Sequence, residues 1–190
     1  MASTFLPYAV KSAFDGGNRP AVVVGKKFGS HPNATTFLPP PNAPTNSCWI
    51  LIISANDPRK KVMDWVLPQN STVPGDIGPY MDNSGNIFVV ATNALEHSNL
   101  PQGALYDFLV KYGGGKELQM LEQYAASLGY IKYNVVSYVL TGTCGPRTKP
   151  PAPSYEAASC TDIPAFLLLS LMSAPNGGPP YGIADNYSWT

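Results

Sequence analysis

Apolar runs of strand length alternate along this chain with connections rich in proline, glycine and asparagine. The runs at 49–54 (Trp-Ile-Leu-Ile-Ile-Ser) and 87–92 (Ile-Phe-Val-Val-Ala-Thr) are continuous rather than alternating. Successive strand side chains point to opposite faces, so an unbroken apolar run predicts a strand covered on both sides. Further strands are predicted at 21–25, 62–67, 133–140 and 166–171. Asn56-Asp57-Pro58-Arg59 separates 49–54 from 62–67 and makes those two a hairpin. Between 101 and 128 the period changes. Leu105, Phe108, Leu109 and Tyr112 recur at helical spacing after Pro101, whose missing N–H costs nothing in a first turn. Leu118, Leu121, Ala125 and Leu128 form a second stripe over 116–128, with Gly129 placed to end it.

Strands, a helix pair, then strands again predict an α+β domain: a compact sheet sandwich or layered mixed sheet with the helix pair packed on one side. The chain divides into an N-terminal arm, 1–48, with one short strand; a core α/β domain, 49–172; and a C-terminal arm, 173–190. The Pro-rich stretch 38–44 reads as an extended linker, because proline lacks the backbone donor and holds φ near −65°. The segment 142–153 reads as a second such excursion. The core is expected from 49–53, 87–90, 135–140 and 166–169, with Leu118, Leu121 and Leu128 against the sheet.

Charge alters this picture. Charged residues make up 13% of the chain, about half the usual share, so the surface must be built from Tyr, Asn, Ser, Thr, Pro and Gly. Twelve basic residues balance twelve acidic ones, which removes the electrostatic source of nucleic-acid binding. No apolar stretch has the roughly 18–20 residues a membrane-spanning helix needs. The first residues carry no basic cluster followed by a long apolar segment, so no secretory signal is expected as the chain stands. Cys144 and Cys160 could close a loop as a disulfide, while Cys48 reads as a small core residue. Asn33, Asn70 and Asn186 each begin an Asn-x-Ser/Thr sequence.

Catalytic chemistry finds little to work with. His31 and His97 are the two imidazoles, and His97 follows a strand, where active-site residues often lie. It lacks a Gly-x-Ser-x-Gly elbow or a partner at fixed spacing. Two His and three scattered Cys give no metal-ligand spacing, so neither a metal nor a cofactor is expected. Gly113-Gly114-Gly115-Lys116 opens a helix as a phosphate loop would. A helix precedes it and Glu117 follows, so it reads as a joint between helices. Glu117 and Glu122 point to different helix faces, against paired acid and base work.

At 49–54, 62–67, 86–92, 117–129 and Ser137-Tyr-Val-Leu-Thr-Gly142, the layout resembles the family of interleukin-like epithelial-mesenchymal transition inducer and pancreatic-derived factor (ILEI/PANDER). The resemblance implies a compact α/β sandwich used for secreted signalling or, in some members, carbohydrate binding, with no catalytic residues to transfer. The chain departs from the family pattern at Asn93-Ala-Leu-Glu96, which lacks the usual acidic pair, and by inserting 95–112.

The expected function is therefore non-catalytic: a structural or assembly subunit of an extracellular or virion-like particle. Its arms would contact neighbouring protein subunits, as a homo-oligomer or larger assembly, through Phe5, Tyr8, Tyr181, Tyr187 and Trp189 as aromatic anchors. A secreted carbohydrate-binding or signalling module is the alternative, with a glycan held near Asn56-Asp57 and 75–83. A small hydrolase using His97 is the enzymatic rival.

Overall fold

The computed structural model describes residues 5–25, 34–128, 135–146, 153–160, 163–174 and 178–184, except for the side chains of 124–126 and 128. Eleven strands lie among the described residues: β1 (Phe5–Lys11), β2 (Ala21–Val24), β3 (Thr35–Phe37), β4 (Ser47–Ser54), β5 (Lys61–Leu67), β6 (Asn86–Asn93), β7 (Leu95–Glu96), β8 (Val135–Thr143), β9 (Ser154–Ser159), β10 (Phe166–Met172) and β11 (Gly182–Ala184). Three α-helices accompany them, α1 (Gly78–Met81), α2 (Gly103–Lys111) and α3 (Lys116–Leu128).

The first sheet has the order β11-β10-β1-β2-β3 and the second is built on β5-β4-β6-β8, with β9 also paired to β8. Every strand pair is antiparallel. The expected α+β class with a helix pair on one side is overturned. The protein is mostly β, two antiparallel sheets with three short helices. Helical periodicity at 101–128 is strong locally, and it gave those 28 residues a weight in the class that the weaker strand signals elsewhere outnumber.

Tyr8, Val10, Val22 and Val24 of the first sheet meet Trp49, Leu51, Ile53, Ile87, Val89 and Val139 of the second in one buried cluster, so the sheets are stacked face to face. The intervening residues Ile50, Ile52, Phe88, Val90, Tyr138 and Leu140 belong to a second buried cluster on the opposite face, with Leu105, Leu109, Leu118 and Leu121. Both faces of β4 and β6 are thus dry, which is why their sequences do not alternate.

The segment 1–48 is more than an arm. It contributes β1, β2 and β3, and β1 is the central strand of its sheet. Pro7 is tolerated there because it sits opposite Gly25, beyond the end of β2, whose N–H donates to the Pro7 carbonyl at 2.8 Å. One bond of the pair is lost, at the margin of the ladder. The Pro-rich connection to β4 lies against the fold, with the Arg19 guanidinium donating to the carbonyls of Pro39 and Pro40. The C-terminal segment supplies β11 on the edge of the same sheet. The expectation for 166–169 also needs correction: Leu169 is buried, whereas Phe166 and Leu168 are exposed.

The Cys144–Cys160 disulfide is not made, and all three cysteines are thiols. Cys144 follows the end of β8, and Cys160 follows Ser159, which pairs with Ser137 near the start of β8. Six strand residues separate Ser137 from Thr143, roughly 20 Å. Bridged Cα atoms lie within about 7 Å. The Sγ of Cys144 instead lies 3.9 Å from the Sδ of Met81.

Candidate functional site

Where the β4–β5 turn approaches the segment before β11, a cleft of about 320 Å³ opens, lined by Leu6, Asn56, Asp57, Pro58, Arg59 and Tyr181. Its walls are built locally. The Ser54 hydroxyl accepts the N–H groups of Asn56 and Asp57 at 3.2 and 3.3 Å, and the Asp57 carboxylate accepts the Arg59 N–H at 3.3 Å. These short-range bonds are the turn-forming habit of Ser and Asp. The Tyr181 N–H donates to the Ala55 carbonyl at 2.7 Å, which ties the first sheet's edge to the hairpin. Leu6 and Tyr181 pack partly buried against the cluster between the sheets. Pro58 is buried, while Asn56, Asp57 and Arg59 are exposed. The result is an apolar floor with an amide, a carboxylate and a guanidinium at its rim. The 83–85 turn flanks it, with the Asn56 side-chain nitrogen near Gly85.

The Gly113–Lys116 joint is occupied from within. Glu156 of β9 accepts the Gly115 N–H and the Glu117 N–H, each at 3.0 Å, and the Tyr138 hydroxyl at 2.9 Å. A carboxylate thus sits at the N-terminus of α3, where a phosphate would bind. The glycines are required by space. A Cβ on Gly113, whose φ is +92°, would meet the Ser154 side chain, and one on Gly114 would lie 2.6 Å from the Tyr138 hydroxyl. Burial pushes the Tyr138 phenol well above its ordinary range, and the neighbouring Glu156 carboxylate adds to the shift.

The other sequence candidates are dispersed. Tyr8 is 1% exposed, so it is a core residue and no anchor for a neighbour. Phe5 is 54% exposed on the outer side of the first sheet, and Tyr181 lines the cleft. Tyr187, Trp189 and His31 lie outside the described residues. His97 heads a 3-10 turn, His97–Asn99. Asn46 (φ +56°) pins this turn: its Oδ1 accepts the Glu96 N–H and its carbonyl accepts from the Asn99 amide. Glu122 is exposed on α3. Among the described residues no group of three His, Cys, Asp or Glu could hold a metal ion. No helix of the described chain is long and apolar enough to cross a membrane.

Comparison with known proteins finds no matching family model, no matching curated protein and no matching solved structure.

Proposed function

We propose that this protein is a non-catalytic binding module whose cleft takes a carbohydrate. The observation that carries the reading is the meeting of Tyr181 with Asn56, Asp57 and Arg59 around one small cavity. A sugar ring presents C–H groups on its faces and hydroxyls at its edge. An aromatic floor with charged and amide groups at the rim answers both. The volume stands at the small end of ligand sites, which run roughly 300–1,000 Å³. The resemblance to the ILEI/PANDER family points the same way.

The test is a glycan array probed with the full chain, followed by calorimetric titration of the best oligosaccharide. Tyr181→Ala is expected to weaken binding about tenfold, the equivalent of ~1.4 kcal/mol. Arg59→Ala, at an exposed rim position, should weaken it without altering the thermal midpoint. An array without signal, or titrations unchanged by both substitutions, would overturn the reading.

A second role, assembly with other protein subunits, is favoured by a separate observation: the outer face of the first sheet is apolar.

A further inference from the structure

The cleft beside Tyr181 lies at an open end of the sandwich. Along β1, Leu6, Tyr8 and Val10 point to the same side, and Tyr8 and Val10 are buried between the sheets. Leu6 is thus the first inward residue of its strand, and the floor it shares with Tyr181 continues the inter-sheet core. The rim comes from the turn of the β4–β5 hairpin, where Asn56, Asp57 and Arg59 are all exposed. Their side chains are not equally free. The Asp57 carboxylate is turned into its own turn, accepting the Arg59 N–H at 3.3 Å. The Arg59 guanidinium has no hydrogen bond or ion pair among the described residues. Lys61 is paired with Asp64 at 2.9 Å, so Arg59 and Lys60 against Asp57 leave the turn one positive charge on a chain that is formally neutral.

We propose that the sugar this cleft takes is an acidic one, carrying a carboxylate on its ring that pairs with Arg59. The inference rests on the carbohydrate reading above and narrows it to a ligand class. A guanidinium carries five N–H donors in a planar fork and no acceptor. Against a carboxylate it makes two parallel charge-assisted bonds, each roughly twice as strong as a neutral one. Against a hydroxyl most of that capacity is idle. A rim for a neutral sugar needs acceptors for hydroxyl protons as well as donors, and Asn56 and Asp57 already supply both kinds of partner. Arg59 adds what an anion uses best. Lys60 contributes without contact, because exposed charges are felt over roughly 8 Å at physiological ionic strength, and it raises the anion's concentration at the mouth. The ligand is thereby divided among the residues present: Leu6 and Tyr181 cover the C–H face of the ring, Asn56 and Asp57 take its hydroxyls, and Arg59 takes its carboxylate. Asp57 also sets the orientation, since a sugar turned end for end would bring one carboxylate against another.

The test uses the full chain on an array of glucuronate-, galacturonate- and sialate-terminated oligosaccharides printed beside their neutral parents. The best acidic hit and its methyl ester, which differ in the charge of one group, are then compared by calorimetric titration. The ester is expected to bind at least about tenfold more weakly, and the acid to weaken as salt is raised. In Arg59→Gln the two should bind alike, with circular dichroism checking that the exposed position leaves the fold intact. Lys11→Gln is the control. It removes a cation five residues along β1 from Leu6, about 17 Å away, and should keep the parent's preference. Neutral parents bound as well as the acids, a preference that survives in Arg59→Gln, or one that is lost equally in Lys11→Gln, would overturn the acidic-sugar assignment and leave the carbohydrate reading standing. An array silent to acidic and neutral sugars alike would overturn both.

Discussion

The Tyr8 hydroxyl lies 2.8 Å from Thr141 Oγ1, joining the two sheets across the middle of the sandwich. The Thr141 hydroxyl donates its single proton to the Phe88 carbonyl at 2.8 Å, so Tyr8 is the donor to Thr141. Both residues are buried, and the bond is made where no water competes. Tyr8→Phe keeps the ring packing and removes one neutral hydrogen bond. The expected loss is about 1 kcal/mol of unfolding free energy. Tyr8→Ala also opens a cavity and should cost about 3–5 kcal/mol. Urea titrations of the two variants check both values, and equal losses would show that the hydroxyl, not the ring, carries the effect.

Glu156 holds the start of α3 to the second sheet through Gly115, Glu117 and Tyr138. Glu156→Ala leaves two N–H groups and a phenol without their acceptor, and the expected cost is about 2–3 kcal/mol. Glu156→Gln keeps one carbonyl acceptor but brings an amide where a second acceptor is needed, so its loss should fall between Ala and the parent. Gly114→Ala attacks the same contact from the other side, through the collision with the Tyr138 hydroxyl. Thermal melts followed by circular dichroism distinguish these expectations, and the Ala variant at position 156 should also raise amide exchange in the first turn of α3.

What the sequence reveals of this molecule follows from how each strand is covered. Both β4 and β6 are legible because dry faces on both sides demand continuous apolar runs. β1 is masked by Pro7, and β9 by the sequence Ser-Tyr-Glu-Ala-Ala-Ser, whose side chains are all half-buried. β10 carries an apolar signal like that of β4, yet Phe166 and Leu168 on one side of it are exposed. A run of leucines cannot say whether its cover comes from its own chain or from another. The cleft was legible in pieces: Tyr181 and Asn56-Asp57 each stand out in the sequence as candidates for contact. That they meet depends on the bond between Tyr181 and Ala55, which has no local spacing to announce it.

Buried groups that must ionise make the fold sensitive to alkali. Burial pushes the Cys48 thiol from 9.0 up to about 12. It also raises the phenol of Tyr8 above its ordinary 10.0. The folded state holds these protons more tightly than the unfolded chain, so stability is fully present below pH 9 and falls as pH rises toward the folded values. Cys48 alone contributes a loss of up to about 1.4 kcal/mol per pH unit between 9 and 12, and Tyr8 and Tyr138 add to the slope above pH 10. Melting midpoints taken from pH 7 to 11 should be flat to about 9 and then decline. In Cys48→Ala the decline should begin about one pH unit later, from a lower starting midpoint because a small cavity remains.

The Ser137 hydroxyl is buried between the sheets and has no hydrogen-bond partner among the described residues. Its neighbours along β8 on the same face are Val139, in the apolar cluster, and Thr141, already engaged with Phe88 and Tyr8. An unsatisfied buried hydroxyl opposes folding by about 1–3 kcal/mol, because the unfolded chain hydrates it. Ser137→Ala removes that group and little volume. The substitution is expected to leave the fold unchanged and to raise the urea midpoint, by about 1 kcal/mol at an unchanged slope. A fall in the midpoint would mean that the hydroxyl is satisfied in solution by a trapped water, which needs two or more polar partners where the sandwich offers β8's own neighbours. Ser137→Val separates the two cases: it excludes such a water and fills its space, so it should stabilise a dry site and destabilise a hydrated one.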